Sequence, residues 1–103
     1  MPAEAALSAR DEGEAALAAL DRALAHKPKR DGHAFAEMTE HLCTMRDLLI
    51  AHGRREDALP PLLERLNSVI STALAGHFPL GTTPWSEVEH ARGVLRDLIG
   101  EAE

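Results

Sequence analysis

Six histidines, a single cysteine and an excess of carboxylates are the residues through which this chain could do chemistry. Two spacings among them could assemble a site. Glu87-Val88-Glu89-His90 reads literally as the Glu-x-x-His motif with which four-helix bundles hold di-iron centres, provided the carboxylates and the imidazole point inward. His33, Glu37 and His41 stand at i, i+4 and i+8, a spacing that stacks them on one helix face as a metal clip or a hydrogen-bonded relay. Met38 and Met45 flank His41, a setting in which a soft metal or haem would find ligands. Cys43 would act as a nucleophile only with its pKa lowered by its surroundings.

Any such site must be positioned by helices. Leucine and alanine dominate, β-branched residues are few, and this composition favours helix over strand. Punctuation divides the chain into four segments at about 3–26, 33–52, 60–75 and 84–99. Pro28 disfavours helical geometry at Lys27 and closes the first. Asp31 can cap the second at its start and Gly53 at its end. Pro60 and Pro61 fit the first turn of the third, where amides have no partner, and Gly76 closes it. Thr83-Pro84 supplies a hydroxyl cap and a first-turn proline for the fourth, and Gly100 closes that.

The apolar periodicity agrees. Phe35, Met38, Leu42, Met45 and Leu49 step 3-4-3-4 along the second helix. Leu62, Leu63, Leu66, Val69, Ile70, Ala73 and Leu74 line the third, and Val88, Ala91, Leu95, Leu98 and Ile99 the fourth. The first helix is weaker. Leu17, Leu20 and Leu24 align, but the stripe continues backward through Gly13, Ala9 and Ala6, and Leu7 falls off it. Small residues there would admit a closely approaching helix. Gly13 and Gly93 each cost a helix up to ~1 kcal/mol relative to alanine, and close packing is the expected reason for both. Short connections favour antiparallel neighbours, so the chain is expected to be an all-α, up-down-up-down four-helix bundle in one domain spanning 1–103. The alternative is a three-helix core with the first helix packing on a second chain.

Stepping residues round at about 100° each decides which chemistry can point inward. His90 falls opposite Val88, Leu95 and Leu98. Glu64 falls opposite its own apolar stripe, and Glu37 lies well outside the second helix's stripe. The expectation is therefore a dry core with no metal site, no bound cofactor and no catalytic residue. His41 falls at the edge of its stripe, half-buried. Histidine phosphotransfer domains are helical bundles of about this size, and the chain resembles them at that level. The resemblance implies an exposed mid-helix histidine beside a lysine and a glycine. His33-Ala34-Phe35-Ala36-Glu37 lacks both, and His41 and His90 lack that pattern too. No glycine-rich phosphate loop is present.

Two surfaces remain. In an antiparallel bundle the first and third connections share one pole. His26, Lys27, Lys29, Arg30 and His33 would meet His77, Phe78, Pro79, Leu80 and Trp85 there. The plainer reading is a lid of Phe78, Leu80 and Trp85 over the bundle's end. The sharper one is a docking surface for an acidic or amphipathic protein partner, formed by His26, Lys27, Lys29, Arg30, His77, Phe78 and Trp85, since aromatics and arginine recur at interaction hot spots. Arg54 and Arg55 mark the other pole beside Glu101 and Glu103. The second surface is a flank of the second helix, Thr39, Cys43, Arg46 and Ile50, where Cys43 and Ile50 would form a homodimer interface.

A net charge of −6 argues against nucleic acid as a partner. No apolar run approaches the ~20 residues that cross a membrane. Met1-Pro2-Ala3-Glu4 lacks a basic, leucine-rich leader, and one cysteine fits the reducing cytoplasm. The expected function is a non-enzymatic protein-interaction module acting through helix surfaces, such as an adaptor, chaperone or regulator. The alternatives are a histidine-based metal or cofactor bundle and histidine phosphotransfer.

Overall fold

Each helix forms where an apolar stripe of helical period lies between residues that start and stop it. In the computed structural model, which describes residues 2–52, 59–78 and 81–101 (the side chains of 2–8 and 52 excepted), these are α1 (Pro2–Ala25), α2 (Gly32–His52), α3 (Leu59–His77) and α4 (Trp85–Glu101). There is no strand among the described residues. α1 packs on α2 and α4, α3 packs on α2 and α4, and neither diagonal pair brings its backbones together, although the Phe35 and Trp85 rings meet between α2 and α4. The ring is thus closed in chain order, as an up-down-up-down four-helix bundle requires. α1 belongs to the same core as the rest, which removes the alternative of a three-helix core.

Alanine makes that possible. Ala9, Ala16, Ala19 and Ala23 are buried beside Leu20, while Leu17 and Leu24 are only half-buried. The small face lets α1 lie close against its neighbours, and the α1–α2 interface is the most extensive in the molecule. Phe35, Met38, Leu42 and Met45 of α2 are fully buried, as are Leu66 of α3 and Val88, Leu95 and Leu98 of α4. Burying a side chain of this size contributes roughly 1.5–3 kcal/mol. Among the described residues no polar or charged residue is buried as a whole, so the core is apolar.

The Asp31 cap forms as expected. Its Oδ1 accepts a 3.0 Å hydrogen bond from the Ala34 amide, and its carbonyl accepts one from Phe35 at 3.2 Å. Pro60 and Pro61 occupy the first turn of α3. Five expectations need correction, one being that Gly100 does not close α4, which continues to Glu101. The first helical bond of α4 runs from the Val88 amide to the Pro84 carbonyl, so Pro84 rather than Thr83 is the cap residue. Gly76 does not close α3, which continues to His77, and the Phe78 amide still donates to the Leu74 carbonyl at 2.8 Å. Leu74 leaves the core stripe and is 42% exposed. Gly93 has nothing within 4 Å of a would-be Cβ, so close packing does not explain it. Gly13 is buried, with Ile99 Cγ1 2.9 Å and Met45 Sδ 3.1 Å from the same position, and there close packing holds. Gly53 lies outside the described residues.

Candidate interaction surface

The histidines and carboxylates are spent across the helix seams. Glu37 takes the Arg22 guanidinium from α1 and His33 Nε2 at 2.9 Å from its own helix. His41 turns away from that pair, and its Nδ1 lies 2.5 Å from Glu12 on α1. His33 and Glu37 therefore meet while His41 does not join them, and no cluster of three potential metal ligands exists among the described residues. On α4, Val88 is buried while Glu87, Glu89 and His90 are exposed, as their angular placement requires. Glu89 pairs with Lys27. Glu87 and His90 instead line a shallow hollow of about 400 Å³ with Ser68, Ser71, Thr72 and Ser86, on the α3–α4 side. Glu64 is exposed.

Three of the four seams are stitched by such pairs. Arg22–Glu37 and His41–Glu12 bridge α1 and α2. Arg92 reaches Asp21 of α1 at 2.6 Å, on the α1–α4 side. Arg65 reaches Glu101 at 2.5 Å between α3 and α4. Hydrogen bonding to Arg22 and Arg65 holds Glu37 and Glu101 below the usual carboxylate range, and the Glu101 and Asp21 carboxylates raise Arg65 and Arg92 respectively. Asp31 is lowered chiefly by the Ala34 amide it accepts. Exposed pairs of this kind add little stability, but they favour charged, hydrated surfaces.

The pole assembles. Arg30 donates to the carbonyls of Gly76 at 3.3 Å and His77 at 3.2 Å, satisfying the last turn of α3 and opposing its dipole. Lys27 Nζ, paired with Glu89, also lies 6.0 Å from the centre of the Trp85 ring, at the limit of a cation–π contact. His26 Nδ1 lies 3.2 Å from Asp31 Oδ2. Trp85 is half-buried over Phe35, ring centres 6.1 Å apart. Of the residues expected as a lid, Trp85 lies over Phe35, while Lys27 and Arg30 are engaged inside the chain. Lys29 is exposed. Phe78 is 67% exposed and stacks only an edge against His77, ring centres 4.0 Å apart. His77 Nδ1 is buried with no hydrogen-bond partner among the described residues. Pro79, Leu80, Arg54, Arg55 and Glu103 lie outside the described residues.

The remaining seam, between α2 and α3, differs from the others. No ion pair bridges it among the described residues. Glu37 and His41 fix one flank of α2 toward α1, so the opposite flank, carrying Thr39, Cys43, Arg46 and Ile50, turns toward α3. Ser68 and Thr72 line the hollow toward α4, so Leu74 falls on the α2 side of α3, with Phe78 one turn beyond it. Ile50 is 55% exposed, and with Leu74 and Phe78 it completes the set of exposed large hydrophobics among the described residues. By helical placement Ile50 and Leu74 fall on this seam near its opposite ends, and Phe78 follows the last residue of α3. Cys43 is half-buried against the core.

Sequence reasoning missed Leu74 as a surface residue because its spacing fits the stripe. It also missed Glu12 and Arg22, whose roles depend on which helices become neighbours. The fold and surface define an apolar-cored helical bundle in which one seam, between α2 and α3, lacks a bridging ion pair among the described residues. Comparison with protein-family models, with curated proteins and with solved structures found no match. No helix among the described residues is long and apolar enough to cross a membrane.

Proposed function

We propose that this chain is a non-enzymatic protein-interaction module that docks through the α2–α3 face and the adjoining Phe78 pole. One observation carries the reading: exposed Ile50 and Leu74 border the seam that lacks inter-helix ion pairs, and exposed Phe78 follows the last residue of α3. Covering apolar surface gains about 25 cal/mol per Å², whereas covering paired charges costs desolvation that pairing does not fully return. A protein partner therefore gains most on this face. A reducing compartment such as the cytoplasm suits the single thiol of Cys43.

The test is site-specific photo-crosslinking in the native cell, with a benzophenone side chain at position 50, 74 or 90. Positions 50 and 74 should give discrete protein adducts, position 90 should give none, and Phe78→Glu should weaken the adduct at 74. Equal adducts from all three positions, or none from 50 and 74, would overturn the reading.

A further inference from the structure

Ala36, Cys43 and Ile50 recur one heptad apart on the flank of α2 that borders α3. Over two heptads a straight helix drifts only about 40° from that repeat, so the three form a nearly straight rail. It runs from small through intermediate to large, and exposure rises along it from half-buried Ala36 and Cys43 to exposed Ile50. Resting on the reading of this face as the docking surface, we propose that its occupant is a second copy of the chain. The two copies pair antiparallel about a two-fold axis that passes Cys43.

The spacing is self-complementary about that axis. A two-fold interface sets each residue against the one equally far on the other side of the axis. Reversal about Cys43 lays Ile50 of each copy over Ala36 of the other, a large side chain over a small one, twice. The register between α2 and α3 completes the match. A Cβ on Gly76 would abut the Phe35 ring, so these two positions stand at one level. Leu74 and Phe78 then lie about 3 Å to either side of the Phe35 level at 1.5 Å per residue, and Ala36 falls between them, about 1.5 Å from the level of Leu74. Ile50 of the second copy would enter a small-residue site walled by Leu74 and Phe78.

Size agrees with this occupant. On the other three seams a second copy would have to cover engaged ion pairs. The body measures 40 × 22 × 19 Å, and one long face is of the order of the ~800 Å² that each partner buries in a standard interface.

The experiment is light scattering of the purified full chain at high micromolar concentration, combined with a short-armed bis-maleimide that can join two Cys43 thiols. The expected result is twice the chain mass and a Cys43-dependent cross-linked dimer that Cys43→Ser abolishes. Ile50→Glu should raise the dimer dissociation constant at least about tenfold with helicity retained. A monomer mass at that concentration overturns the proposal, as does a dimer that neither cross-links through Cys43 nor responds to Ile50→Glu. If the chain is monomeric yet photo-adducts form at 50 and 74 in cells, the second copy is refuted and the interaction reading stands. If both are absent, both fall.

Discussion

Replacing Gly76 by alanine adds one methyl group at the tightest point of the α2–α3 contact. Its Cβ would lie 2.6 Å from Phe35 Cζ and closer still to Cε1 and Cδ1, well inside ordinary van der Waals contact. Phe35 has little room to yield, because it is fully buried and its ring also packs against Trp85, centres 6.1 Å apart. Overpacking of this kind costs about 1–3 kcal/mol. Alanine returns ~1 kcal/mol of helix propensity, which leaves a net loss of up to about 2 kcal/mol. For a domain near this size each 1 kcal/mol lowers the Tm by about 4–8 °C. Gly93→Ala is the internal control, since an added Cβ there meets nothing within 4 Å. It should stabilise the chain by up to ~1 kcal/mol. Urea denaturation followed by far-ultraviolet circular dichroism measures both. In a Phe35→Leu background the Gly76→Ala cost should shrink, because the smaller side chain leaves room. Two glycine substitutions that shift stability alike, or a Gly76→Ala cost unchanged by Phe35→Leu, would refute the packing argument.

Asp31→Ala should cost about 1 kcal/mol by uncapping α2, and Asp31→Asn should recover most of it, because both oxygens can accept from the Ala34 amide. Arg30→Ala should cost about 1 kcal/mol in the same assay by withdrawing two donors from the last carbonyls of α3, and Arg30→Lys should recover only part, since an ammonium lacks the planar fork. Asp31, Glu37 and Glu101 are all held below their ordinary values of 3.8 for Asp31 and 4.5 for the glutamates. Unfolding at low pH therefore takes up protons at these groups. Their contribution is fully present above those ordinary values and is lost as pH falls through the lower folded ones, so Tm scans should decline progressively below that range. A Tm from this acid range equal to that at neutral pH would contradict the assignment.

Much of the fold is legible in the sequence because one pattern, the helical period, governs both local structure and burial. Val88, Ala91, Leu95, Leu98 and Ile99 are all buried where their spacing puts them. The same angular reasoning places Glu64 and His90 outside the core, and both are exposed. Residues decided by neighbours were harder to read. The alanine face of α1 resembles a weak stripe until α2 and α4 are close enough to use it. Gly76 reads equally well as a helix stop or a packing site, and only the Phe35 ring beside it decides. Leu74 fits its stripe but sits at the rim, where no helix covers it. The shared pole follows from topology, yet topology says nothing of how Lys27, Arg30 and Asp31 are engaged there. The asymmetry between three bridged seams and one unbridged seam depends on pairs such as His41–Glu12, far apart in sequence.

The central claim is that the α2–α3 face is the surface this bundle uses. Hydroxyl-radical footprinting tests it most directly, by comparing the chain in its native extract with dilute purified chain. Ile50, Leu74 and Phe78 should lose reactivity in the extract while the half-buried Val94 on α4 keeps its own. Unchanged reactivity at all three, or equal protection at Val94, would contradict the account.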